Sequence, residues 1–111
     1  MKKTINIAGQ EMTIESNALL PRLYRKEFGR DLMIDMRRLS ENYQADPDNM
    51  NTEVLENVTW LMLKAAGNDV GDSVDEWLAS LDEILTVYLA LPEVVDLWVG
   101  SQKTTSKPKK K

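Results

Sequence analysis

Apolar and polar residues alternate at the start of the chain and then settle into helical spacing. Thr4-Ile5-Asn6-Ile7 and Met12-Thr13-Ile14 alternate on either side of Ala8-Gly9-Gln10. That pattern predicts a β-hairpin over residues 2–15 with Ile5, Ile7, Met12 and Ile14 on its buried side. Gly9 supplies the positive φ that tight hairpin turns need. Two strands alone are marginal, so the hairpin must pack on the rest of the chain.

The period then changes. Leu19, Leu20, Leu23, Tyr24 and Phe28 predict a first helix from near Ala18 to Gly29, capped by Ser16 or Asn17, with Pro21 in its first turn. Leu32, Met33, Met36, Leu39 and Tyr43 mark the inner face of a second, from Asp31 to Tyr43. Residues 44–51 contain Asp46-Pro47-Asp48 and read as a loop. A third helix opens at Thr52, carries the stripe Val54, Leu55, Val58, Leu61, Met62 and Ala65, and ends at Gly67. Trp60 lies off that stripe.

Ser73 and Glu76 form a capping box before the widest stripe of all. Val74, Trp77, Leu78, Leu81, Ile84, Leu85, Tyr88 and Leu89 predict one helix, central to the core. Pro92 breaks or restarts it, giving a short fifth helix over 92–99 closed by Gly100. Residues 101–111 hold no apolar side chain and are expected to be disordered. The expected architecture is mainly α. An N-terminal β-hairpin is followed by a bundle of four to five helices in one domain, residues 1–100, with a disordered basic C-terminal tail, residues 101–111.

Composition narrows the chemistry. A chain of 111 residues is one small domain. It has no cysteine and no histidine, which removes disulfides, thiol nucleophiles, the usual general base and the commonest metal ligand. The glycines never bracket a phosphate loop or a dinucleotide fingerprint. Counted from Asp46 as an EF-hand, the sixth position is Asn51 and the twelfth Asn57, neither of which fits. Asp75 and Glu76 serve a helix N-terminus, where negative charge is favoured. The expectation is no enzyme, no cofactor and no metal. Met1-Lys2-Lys3 is followed by alternation rather than an apolar run, and the greasiest stretch, Ile84 to Leu91, is too short to span a membrane. The cytoplasm is the expected compartment.

Charge is unevenly spread. All 18 acidic residues lie in residues 1–100, with only nine of the 14 basic ones. Residues 41–100 hold 13 acids and a single base, Lys64, whereas Asn17 to Arg38 holds six bases against three acids. Solvated helix faces account for this simply. The sharper reading is complementary surfaces that steer self-association or a partner. Nucleic acid is not expected, because the acidic body repels phosphate and no aromatics interleave a basic run. Val95, Leu97 and Trp98, beside the tail, are expected to contribute to a subunit or client surface.

The segment Leu23-Tyr24-Arg25-Lys26-Glu27-Phe28-Gly29-Arg30-Asp31-Leu32 is the distinctive one. A Tyr-Arg-x-x-Phe-Gly-x-Asp pattern between two helices, after an N-terminal hairpin, resembles the tail assembly chaperones of long-tailed phages and of prophages in Gram-positive bacteria, in their short form. The resemblance implies a host-cytoplasmic protein that binds the tape measure protein and keeps it soluble. It would promote assembly of the tail tube protein around that client and would not remain in the virion. It also implies a second, longer product made by ribosomal frameshift. Lys109-Lys110-Lys111 requires an adenine-rich message that suits slippage. Tyr24 and Phe28 share a face, Gly29 ends the first helix and Asp31 caps the second. Arg25 and Arg30 are then exposed candidates for contacts with a partner or a neighbouring subunit. The alternatives are a small phage-encoded adaptor that binds a host protein, and a structural head–tail connector or tail terminator.

Overall fold

The computed structural model of the chain describes residues 1–46, 48 and 50–106. Strands β1 (Lys2–Ile7) and β2 (Gln10–Glu15) pair antiparallel with Ile7 opposite Gln10. That register leaves a two-residue turn, in which Ala8 and Gly9 both take positive φ (54° and 81°). Paired positive φ values give the turn the right-handed twist that the strands require. Ile5, Ile7 and Ile14 are buried and Met12 is half-buried, as the alternation predicts. Past the ladder, the Met1 ammonium donates to the Ser16 carbonyl, and Ser16 N–H to the Met1 carbonyl, both at 2.9 Å.

Helices α1 (Leu20–Phe28), α2 (Leu32–Ala45) and α3 (Thr52–Ala65) follow within a few residues of their expected bounds. Asp31 caps α2 by accepting from Ile34 N–H at 3.2 Å. Asn51 caps α3 by accepting from Glu53 and Val54 N–H. Helix α1 has no side-chain cap. Asn17 instead accepts from Leu19 N–H ahead of the first turn.

The centre of the molecule is α3, not the later helix that the sequence pattern favours. Val58, Thr59, Trp60, Met62 and Leu63 are all shut off from water, so α3 is buried well beyond a single stripe. The hairpin packs on one side of it and α1, α2, α4 and α5 on others. Trp60 is fully buried despite lying off the sequence stripe, and its indole donates to the Val70 carbonyl at 3.1 Å. A helix contacted on several sides needs apolar residues around most of its circumference.

The stripe from Val74 to Leu89 does not form one helix. It divides into α4 (Val74–Ala79) and α5 (Thr86–Leu89), with residues 80–85 between them. Ser73 does cap α4, accepting from Glu76 N–H at 3.1 Å, and Trp77 is buried as expected. The break has two local causes. Ser80 turns its hydroxyl back to the Trp77 carbonyl at 2.6 Å, a bond that competes with helix continuation. Asp82 and Glu83 come next and oppose the negative end of a helix dipole.

Helix α6 (Leu91–Ser106) has Pro92 in its first turn and continues through Gly100, where the sequence reading closes it. Residues 101–106 therefore belong to a helix rather than to the expected tail. The rest of that tail, 107–111, lies outside the described residues.

Candidate functional site

The Tyr-Arg-x-x-Phe-Gly-x-Asp motif builds the corner between α1 and α2. Gly29 sits in the left-handed region (φ 68°), and its N–H closes α1 on the Arg25 carbonyl. Phe28 stacks at a tilt on Tyr24 (4.9 Å between centroids) and edge-on to Trp60 (6.1 Å). Beneath them lies Asp35, a carboxylate buried on the inner side of α2. It accepts from Tyr24 O–H at 2.8 Å, from Arg30 Nε at 2.7 Å and from Arg30 Nη2 at 2.8 Å.

Three charge-assisted bonds satisfy a group whose burial would otherwise be prohibitive. The Arg30 fork, and after burial's opposing effect the Tyr24 hydroxyl, hold the Asp35 carboxyl below the usual carboxylate range. Burial first, then the bond to Asp35, pushes the Tyr24 phenol far above its ordinary value. The corner is thus a latch that sets the direction in which α2 leaves α1.

The latch aims Met33 and Ile34 outward, 49% and 40% exposed. Met33 therefore lies outside the core, although the sequence pattern puts it on the inner face. Both side chains line a groove of about 410 Å³ between α2 and the middle of α6. Arg37, Ser40, Glu41 and Gln44 continue the α2 wall, and Trp98 and Val99 form the other. Its lining is mainly apolar, with one charge of each sign. Ser40 Oγ is buried there with no hydrogen-bond partner among the described residues.

The sequence-predicted partner residues are only partly placed for contact. Arg25 is exposed and forms no ion pair among the described residues. Arg30 is half-exposed, but its guanidinium is committed in two bonds to Asp35, so its main work is internal. Val95 and Leu97 are buried core residues and form no surface. The reason is the longer α6, which packs against β1 and α5 and gives these side chains a body to bury against. Lys3 adds an ion pair to Glu93 at 3.2 Å across the β1–α6 contact. Trp98 is also buried, yet one edge of it reaches the groove wall.

Sequence reading missed Asp35 and the groove. A signal for Asp35 was present: an acid among Leu32, Met36 and Leu39 on the inner face, with an arginine five residues earlier. The groove had none, because it joins residues some 60 positions apart.

Among the described residues, no group of three or more His, Cys, Asp or Glu side chains is placed to hold a metal ion. No helix among them is long and apolar enough to cross a membrane. No family model, curated protein or solved structure matches the chain.

Proposed function

We propose that this chain is a tail assembly chaperone whose α2–α6 groove holds amphipathic helical segments of a tape measure protein. The observation that carries the reading is the groove itself. Its lining is mainly apolar, and it is edged by the exposed Met33 and Ile34. Grooves of that kind receive the apolar face of a helix through anchors three and four residues apart. Methionine at the rim suits a client of varied sequence, since its flexible thioether adapts to different side chains. The motif at residues 23–32 supports the reading from a second direction, through the family it resembles.

In this role the protein shields the apolar faces of its client in the host cytoplasm. It hands the client to tail tube subunits and leaves before the particle is complete. No catalytic step is required of it. A longer frameshifted product would share the N-terminal domain, and an overlapping open reading frame at the 3′ end of the gene would reveal it.

Co-expression with a tape measure protein tests the proposal. The client should move to the soluble fraction with the wild-type chain and return to the pellet with Ile34→Asp. Client solubility indifferent to the chain would overturn the reading. So would recovery of the chain from purified particles, which would favour a structural connector.

A further inference from the structure

Ile84, Leu85 and Leu89 are 86%, 60% and 74% exposed, more than any other large apolar side chain among the described residues. The ridge they form is ordered from behind. Thr86 Oγ1 accepts from Ala8 N–H at 2.6 Å, Tyr88 O–H donates to Glu56 at 3.1 Å, and Val87 is buried. These inward residues leave Leu85 and Leu89, one helical turn apart, facing outward. Contiguous aliphatic surface of this kind marks an interaction site. A ridge already ordered loses little freedom when it docks.

The charge beside the ridge says what covers it. A cavity of about 310 Å³ lies next to it, between the hairpin turn and the α4–α5 connection. Its lining divides by depth: Val70, Trp77 and Leu81 are buried or half-buried, whereas Asp69, Asp82 and Glu83 are exposed. Asp82 and Glu83 form no ion pair among the described residues. No lysine or arginine occurs between Lys64 and Lys103 to neutralise them. An apolar floor under an acidic rim matches a side chain with an aliphatic stem and a cationic head, which is lysine or arginine.

We propose that the ridge and this cavity together receive an amphipathic helix of a different protein, apolar along one face and bordered there by lysine or arginine. The apolar face of that helix packs on Leu85 and Leu89, whose spacing matches the i, i+4 rows of a helix surface. A basic side chain at its border lays its stem over the cavity floor and brings its charge to Asp82 and Glu83. The same acids repel a helix of equal apolar face but acidic border, so they select the partner as well as attract it. The site shares no residue with the α2–α6 groove. Both surfaces can therefore be filled together, and the inference goes beyond the chaperone reading without resting on it.

Two synthetic helices of about 18 residues, long enough to hold a helix, are the probes. They share one leucine face, bordered by lysine in the first and by glutamate in the second. Fluorescence anisotropy of each labelled peptide with the full-length protein reads the affinity. The lysine peptide should bind about tenfold or more tightly than the glutamate peptide, with the difference shrinking as salt rises. Leu85→Ser combined with Leu89→Ser should weaken the lysine peptide about tenfold. Asp82→Asn combined with Glu83→Gln should weaken it about threefold, as exposed charges do. All four sites are exposed, so these variants should keep their melting temperatures. Met33→Ser, in the α2–α6 groove, should leave the affinity unchanged, and so should the paired change Glu27→Gln and Glu41→Gln, which removes the same charge elsewhere. An equal loss from that distant pair overturns the proposal, because the attraction would then be to an acidic body rather than to a site. Loss on Met33→Ser with none on the ridge variants overturns it too, and assigns the helix to the groove. So does a lysine peptide that fails to bind up to about 1 mM. Self-association of the protein alone that Leu85→Ser abolishes would give the ridge to a second copy instead.

Discussion

The α1–α2 corner and the segment from Ser80 to Leu89 both follow a short helix, and both carry aliphatic residues at helical spacing. They end differently. In the corner the buried polar groups find their partners nearby: Arg30 reaches Asp35 five residues on, and Tyr24 reaches the same carboxylate eleven residues on. In the later segment the partners of α5 are remote: Thr86 serves Ala8 across 78 residues, and Tyr88 serves Glu56 across 32. The first region is organised by local polar chemistry. The second takes its form from the hairpin and α3, and its outward aliphatics go uncovered. An apolar stripe shows that a segment needs burial somewhere. It does not show that the same chain provides it.

The most damaging way to break this contrast is to empty the latch. Asp35→Ala leaves the Tyr24 hydroxyl buried and Arg30 without its partner. It should destabilise the fold by about 2–4 kcal/mol, read from the midpoint of urea unfolding. The lower end applies because Arg30 is half in water, which can take over its charge. Tyr24→Phe should cost less, about 1 kcal/mol, since the Arg30–Asp35 fork survives it.

Acid sharpens the same point. The Asp35 carboxyl titrates lower in the folded chain than when unfolded. Its contribution is therefore complete above its unfolded value of about 3.9 and is lost as pH falls through the lower folded value. The stability gap between wild type and Asp35→Asn should stay constant from about pH 5 to 8 and narrow below about pH 4. A gap that instead narrowed on raising the pH from 5 to 8 would show that Asp35 is not held as the buried anion.

Much of the corner was legible because its signals are local. Gly29, Asp31 and the Tyr24–Phe28 pair act within one or two turns of themselves, and the roles read from their spacing hold. The hairpin register was legible for the same reason: alternation and one turn determine it. Trp60 was not, since its burial depends on α3 being enclosed from several sides. Val95 and Leu97 were misplaced because nothing in residues 92–99 reveals that α6 is long and packs against β1. The groove needed the positions of α2 and α6 together, and Ile84, Leu85 and Leu89 lay on a stripe that any periodicity argument would bury.

A smaller effect belongs to the remote tie of the later segment. Thr86→Val keeps the shape of the side chain and removes the acceptor for Ala8 N–H. The loss should be about 1 kcal/mol, the net worth of one hydrogen bond at a partly wet site. Amide exchange should rise at Ala8 and at residues 86–89 while the protection of α2 stays unchanged. Exchange that rose equally in α2 would mean the two regions are coupled rather than separately organised.

The smallest effect is expected at the exposed Ile84, Leu85 and Leu89, and it is the most discriminating. Ile84→Ser, Leu85→Ser and Leu89→Ser each remove an aliphatic group that already stands mostly in water. Folding therefore buries little of it, and each change should move stability by less than about 0.5 kcal/mol. Val87→Ser, on the same short helix but turned inward, should cost several times more, because it strips a buried contact and leaves a hydroxyl without an assured partner. Urea titrations of the four variants at one low protein concentration make the comparison clean, since association is then minimal. Equal losses at Leu85 and Val87 would mean that Leu85 is folded into its own molecule in solution, and the two sides of this segment would no longer differ.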